Sequence, residues 1–166
     1  MKKLIVLFIL LALPLALFAE GFYIGGSALY MGDYNTAMED DDILNNLAFG
    51  ADARLQISIL EISGLALYNF GNTFNTYVDA GVAIDLIEIL TIGAGVGLNF
   101  VVNFDDLSAP NAISGGYNGK VHADLNLGDL KVSLYYLILV NDFDLTAFED
   151  NLSLGNVGAS VLIKLF

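Results

Sequence analysis

The chain has 166 residues, a formal net charge of -13 and a hydrophobic fraction of 56%, with no cysteine and no tryptophan. The negative charge repels nucleic acid phosphates, which excludes a nucleic-acid partner, and the missing cysteines exclude disulfides and thiolate metal sites. So high an apolar fraction is unusual beside so large a charge, because acidic soluble proteins normally carry fewer apolar residues.

The first segment, residues 1–19, has the layout of a secretory signal peptide. Two lysines precede an apolar run that Pro14 interrupts, and small Ala19 precedes the first acidic residue. We predict cleavage after Ala19, which leaves a barrel domain of residues 20–166 and shifts the net charge from -13 to -15 because both lysines depart. A single membrane-anchoring helix is the alternative interpretation of this run.

Eight later segments alternate apolar and polar residues with period two, which predicts eight successive β-strands. In chain order they are the segment from Phe22 to Tyr30, then LAFGADARLQI, LEISGLALYNF, YVDAGVAIDL, LTIGAGVGLNFVV, GKVHADLNL, LKVSLYYLILV and VGASVLIKLF. Short connections are predicted at residues 58–59, 87–89 and 128–129, and long polar ones at about 32–46, 71–76, 103–116 and 141–153.

The apolar face of these strands is predicted to contact lipid. It continues through all eight segments while the opposite face collects charges and glycines, whereas a soluble barrel would turn its charges outward. Aromatic residues of the apolar face gather toward the long-loop rim, which is typical of an interfacial girdle. The predicted girdle consists of Tyr30, Phe49, Tyr68, Phe70 and Phe100, with Tyr117 as a further candidate. A soluble lipocalin-like barrel is the alternative fold.

Strand periodicity runs to the last residue, Phe166. Lipid offers no partner to the backbone groups of a free sheet edge, so the eighth strand must pair with the first. The sequence therefore predicts an all-β fold: an eight-stranded antiparallel up-and-down transmembrane β-barrel with both chain ends in the periplasm.

The signal peptide, eight alternating strands, four long loops and terminal Phe166 resemble the small eight-stranded outer-membrane proteins, namely the OmpA transmembrane domain, OmpX and OmpW. The resemblance implies a monomer in the bacterial outer membrane, in contact with its lipids and assembled by the barrel-inserting machinery through the C-terminal strand. In these proteins the terminal phenylalanine shares the lipid-facing parity, whereas Phe166 shares the parity of Lys164.

The inward face is predicted to be polar. It includes Asp52, Arg54, Gln56, Glu61, Asp79, Asp85, His122, Asp124, Asn126, Lys131, Ser133 and Lys164, beside the glycines at 93, 95 and 97. Hairpin pairing would place Gln56 opposite Glu61, and Asp124 diagonal to Lys131. The set forms either a gate whose ion pairs exchange partners or a static polar plug, and the plug is favoured because eight-stranded interiors are normally filled.

Three functions follow from this interpretation: a structural or surface-interaction role, a narrow passive pore for small solutes or ions, and OmpW-like uptake of small apolar molecules. The charged lumen counts against the third. We predict no enzymatic activity and no cofactor, because His122 has no serine or cysteine nucleophile at useful spacing.

The long loops carry acidic clusters that lack the ligand spacing of a dedicated calcium loop, so we predict no metal site and unknown loop partners. These residues are Glu39, Asp40, Asp41 and Asp42 in one loop, and Asp142, Asp144, Glu149 and Asp150 in another.

Overall fold

The computed structural model describes residues 20–32, 46–70, 72–105, 112–140, 143 and 152–166, with the side chains of 152–155 excepted. The predicted signal peptide and the acidic loop clusters lie outside the described residues. Within the described part, no helix has the length and apolar content needed to cross a membrane.

The alternating segments form eight β-strands. They are β1 (Gly21–Met31), β2 (Leu47–Ile57), β3 (Leu60–Asn69), β4 (Thr73–Ile87), β5 (Leu90–Asn103), β6 (Ile113–Leu127), β7 (Leu130–Val140) and β8 (Leu152–Lys164). Each strand pairs antiparallel with the next, and β8 pairs with β1 from Lys164 opposite Tyr23 to Asn156 opposite Met31. The predicted eight-stranded closed barrel is therefore confirmed.

Tight turns fix the registers at one rim. Ser58 and Gly128 adopt positive φ values of 54° and 70°, which suit two-residue hairpin turns. Leu60 consequently pairs with Ile57, and Leu130 pairs with Leu127, as the alternation of apolar residues predicts. A shift of one residue would turn every apolar side chain of these strands to the opposite face.

Two of the predicted long connections are shorter than predicted. β4 begins at Thr73, so residues 70–72 suffice to join it to β3, and Asn72 turns the chain with a φ of 57°. β6 begins at Ile113, so the β5–β6 connection shrinks to residues 104–112. Polar threonines in the first case and a glycine pair in the second resemble loop composition, yet both stretches complete the ladders of the neighbouring strands.

The two faces of the barrel differ in exposure: the outer face is exposed and the inner face is packed. Large apolar side chains cover the outer face, and Val96 and Leu134 expose 74% and 63% of their surface. Most of the large side chains of the inward parity are buried. Water would make such an outer surface costly, whereas lipid covers it without penalty.

The chain end is fixed to the first strand. The Leu165 amide donates to the Phe22 carbonyl at 2.8 Å, and the Phe22 amide donates to the Phe166 carbonyl at 3.2 Å. The Phe166 ring stacks on the ring of Phe22, with 5.8 Å between centroids. Although Phe166 shares the parity of Lys164, its ring therefore contacts a residue of the lipid-facing set.

Candidate functional site

The barrel interior contains two layers, which lie toward opposite rims. Along β3, the inward residues change from Glu61 and Ser63 near the short turns to Leu65 and Leu67 toward the loops. We name the polar layer by its members Asp52, Arg54, Glu61, Ser63, Asp79, Lys120, His122, Asp124, Lys131 and Ser133. The apolar layer consists of Leu29, Ala48, Leu65, Leu67, Tyr77, Tyr135, Leu137 and Leu139.

Arg54 lies at the centre of the polar layer and joins strands on opposite sides of the barrel. Its Nη2 lies 2.7 Å from Oδ2 of Asp52 on the same strand, and its Nη1 lies 3.1 Å from Oδ1 of Asp124 on β6. Nη2 also donates to the Ser133 hydroxyl on β7 at 2.8 Å. All four side chains are fully buried, so the guanidinium fixes β2, β6 and β7 relative to one another.

A chain of hydroxyl groups extends this network to the barrel seam. Ser160 on β8 donates to Oδ2 of Asp52 at 2.8 Å, and its oxygen lies 3.0 Å from that of Ser27 on β1. The Ser27 and Tyr135 hydroxyls lie 2.7 Å apart. Hydrogen bonds thus reach across the pairing of the first and last strands, which satisfies polar groups that lipid could not solvate.

His122 lies between two carboxylates. Its Nδ1 lies 3.0 Å from Oδ1 of Asp124, and its Nε2 lies 3.2 Å from Oε1 of Glu61. A side chain at position 93 would collide with the imidazole, so Gly93 supplies the space that the ring occupies. Gly93 on β5 thus makes room for a larger side chain on the neighbouring strand β6.

Lys131 closes the network near the short turns. Its Nζ lies 3.4 Å from Oδ2 of Asp124 and 4.1 Å from the centre of the Tyr23 ring. The ammonium is buried and therefore exchanges water for a carboxylate and an aromatic face. The predicted diagonal contact between Asp124 and Lys131 is present.

A second cluster lies beside the first. Lys120 on β6 pairs with Asp79 on β4, with 3.5 Å between Nζ and Oδ2, and it also donates to the Ser63 hydroxyl. Ser63 donates to Asp79 at 3.1 Å, and the Asn118 amide donates to the other carboxylate oxygen. Sequence reasoning missed Lys120 as an interior cation, although its parity along β6 equals that of His122 and Asp124.

The charges of the polar layer nearly cancel. Three basic side chains, Arg54, Lys120 and Lys131, face four acidic ones. A second proton on His122 would complete the balance. The near-cancellation explains how a lipid-embedded interior tolerates so many ionisable groups, because buried charges are stable only when they are paired.

Four of the predicted inward residues, Gln56, Asp85, Asn126 and Lys164, lie outside the network. Gln56 stands opposite Glu61 in the register, but its amide reaches the Ser58 carbonyl at 3.4 Å while Glu61 contacts His122. Asp85 is exposed at the short-turn rim, where it accepts a hydrogen bond from Thr91. Gln56 and Asp85 line the mouth of the barrel.

The apolar layer is the feature that sequence reasoning missed. Leu29, Leu67 and Leu137 are 0% exposed, and Leu65 and Tyr77 are 1% exposed. All of them lie on the inward parity, so the signal was present in the alternation itself. The charged residues of this face predict a polar interior, but leucines occupy other positions of the same parity.

The two layers together close the barrel. Asp52, Arg54, Asp124 and Ser133 are as inaccessible to water as the leucines of the apolar layer. At these positions the described side chains leave no surface accessible to water. This agrees with the expected filling of an eight-stranded barrel by its own side chains.

The predicted girdle residues lie on the outer face. Phe49, Tyr68, Phe70, Phe100 and Tyr117 are exposed, and Tyr30 is half-buried on the same parity. Phe49 and Phe70 make an edge contact at 6.0 Å. The structure adds Phe143 of the β7–β8 connection, whose ring contacts Tyr117 at 5.2 Å and Phe100 at 6.5 Å.

One group in the interior has metal-ligand composition. Glu61, His122 and Asp124 each offer a ligand atom, and these atoms lie within 4.8 Å of one another. Arg54 and Lys131 already contact Asp124. The carboxylate is thus neutralised by side chains, and the geometry is that of an ion-pair network.

Comparisons with known proteins identify the fold. No protein-family model matches the chain, and no curated protein matches it either. A de novo designed transmembrane β-barrel superposes with a TM-score of 0.58 at 15% identity, covering 89% of this chain and 97% of that one. A second designed barrel, solved by NMR, gives a TM-score of 0.55 at 11% identity and covers 88% of this chain and 95% of its own.

A natural protein shares the architecture. The crystal structure of Ail, the attachment invasion locus protein of Yersinia pestis, superposes with a TM-score of 0.50 at 11% identity, covering 87% of this chain and 97% of Ail. Identities this low establish a common fold and carry no residue roles. The chain is therefore a membrane β-barrel protein with the architecture of the small eight-stranded outer-membrane barrels.

Proposed function

We propose that this protein is a closed barrel of the bacterial outer membrane, with a structural or surface-interaction role carried by its loops. The supporting observation is the filled cross-section, in which Arg54 and Asp124 in one layer and Leu67 and Leu137 in the other are 0% exposed. A path for solutes would have to displace both layers.

Export by residues 1–19, insertion through β8 by the barrel-assembly machinery and a monomeric state complete this proposal. The barrel would serve as an anchor that holds the loops at the cell surface. Ail is named for attachment and invasion, and by analogy of fold alone we propose that partners bind this protein at its loops.

A gated pore is the second candidate function. Arg54 contacts Asp52 and Asp124, and His122 contacts Asp124 and Glu61, so the ion pairs have alternative partners at hand. Exchange within the polar layer would still leave the apolar layer in place. Uptake of small apolar molecules is opposed by the polar layer, which an apolar solute would have to cross after the apolar layer.

Single-channel recording separates these functions. The protein would be reconstituted into planar bilayers, and insertion would be verified by the heat-dependent gel mobility of folded barrels. We expect no discrete openings for the wild type. An Arg54→Ala variant tests the gate, since it removes the central cation while the apolar layer stays. Steps in the wild type that change in this variant would contradict the closed barrel and support the pore.

A further inference from the structure

The short turns at the rim differ in polarity. The β2–β3 turn carries Ile59, and the β4–β5 turn carries Ile89 next to Ile87 at the end of β4, with exposed fractions of 56%, 51% and 57%. The residue of the β6–β7 turn that corresponds to Ile59 and Ile89 is Asp129. We name the three isoleucines the apolar ledge. Turns that project into water normally carry polar residues, so the ledge needs an apolar environment.

The backbone limits how deeply the ledge can enter the membrane. β3 pairs with β4 only as far as Val82, apart from the Ala83 amide that donates to the Ile59 carbonyl at 2.8 Å. Beyond this point β4 pairs with β5 alone. The groups on its other edge require hydration, and Glu88 is exposed in the same turn. These groups are compatible with the headgroup region and incompatible with hydrocarbon.

We propose that the apolar ledge docks into the boundary between headgroups and acyl chains of the membrane leaflet on the short-turn side. The occupant of this surface is lipid, because Ile84 and Leu86 continue the parity of Val78 and Val82, which already face the bilayer. The β6–β7 turn with Asp129 lies in water. This inference rests on the membrane-barrel fold and is independent of whether the interior conducts.

Site-directed spin labelling tests this proposal cleanly, because the chain has no native cysteine. Ile59→Cys and Ile89→Cys would report on the ledge, and Asp129→Cys is the matched control on the remaining turn. Each variant would be labelled and reconstituted into vesicles of phosphatidylcholine and phosphatidylglycerol. Collision with oxygen, which concentrates in lipid, would be compared with collision with a water-soluble nickel complex.

We expect the oxygen-to-nickel ratio of both ledge labels to exceed that of the Asp129→Cys label several-fold. Equal ratios at all three positions would overturn the proposal by placing the ledge in water. Protection from both colliders would also overturn it, since that result indicates a protein occupant such as a second copy. The two ledge positions are independent, so a folding defect in one variant leaves the test intact.

Discussion

The polar and apolar layers fill the same barrel by different physical means. In the polar layer, Arg54 makes directional contacts with Asp52, Asp124 and Ser133 from three strands. In the apolar layer, residues such as Leu67 and Leu137 contribute non-directional van der Waals contacts. Substitutions in the two layers should therefore lower stability for different reasons. Removing a polar side chain leaves its partner charged, buried and unpaired, whereas truncating a leucine leaves a cavity.

The largest effect is expected for Arg54→Met. Asp52 would lose its only cationic partner among the described residues, and breaking a buried ion pair costs about 3–5 kcal/mol. Urea unfolding in lipid vesicles would measure the loss. The additional change Asp52→Asn should recover part of it, because it removes the orphaned charge. Lys164→Met at the rim is the control, and an equal effect in the control would refute the central role of Arg54.

Leu67→Ala tests the apolar layer. We expect a loss of about 3 kcal/mol in the free energy of unfolding, from the apolar contacts and the cavity that remains. Leu134→Ala removes the same atoms from the lipid face, where lipid fills the space, so its cost should be clearly smaller. Equal costs in the two variants would mean that the interior leucines are not tightly packed.

Gly93→Ala probes the fit of His122. The added methyl group would meet the imidazole, and we expect a destabilisation of about 1–3 kcal/mol from the forced shift. Gly26→Ala is the matched control, because its methyl group would meet no atom within 4 Å. The control should change stability by less than about 0.5 kcal/mol. Comparable effects at both glycines would show that the imidazole does not require the space.

The smallest effect is expected for Ser160→Ala. Asp52 loses one hydrogen bond of 2.8 Å but keeps Arg54, so the cost should be about 1 kcal/mol. The same unfolding assay measures it. A loss as large as that of Arg54→Met would indicate that the hydroxyl chain at the β1–β8 seam, rather than the guanidinium, holds the polar layer together.

Much of the fold could be predicted from local patterns. Period-two alternation defined eight strands and their faces, and the turn at Ser58 fixed the β2–β3 register. The errors arose where composition contradicts structure. Thr73 and Gly115 are residue types common in loops. Both nevertheless belong to strands, because each pairs with a residue of a neighbouring strand.

The interior partners were less predictable than the strands. The inward position of Arg54 follows from parity, but its contact with Asp124, 70 residues away, depends on barrel closure and strand stagger. The contact of Lys120 with Asp79 has the same origin. Hairpin geometry reaches only neighbouring strands, so it correctly placed Asp124 near Lys131 and could not find the pairs that cross the barrel.

The closed interior is the central claim, and thiol reactivity tests it most directly. Ser133→Cys and Leu67→Cys would introduce single thiols into the two layers, and Asp129→Cys would mark the aqueous rim. We predict that a water-soluble maleimide modifies Asp129→Cys in the folded, reconstituted barrel and modifies the interior thiols only after unfolding in urea. Modification of either interior thiol at the rate of the rim thiol would contradict the account, because water would then fill the barrel.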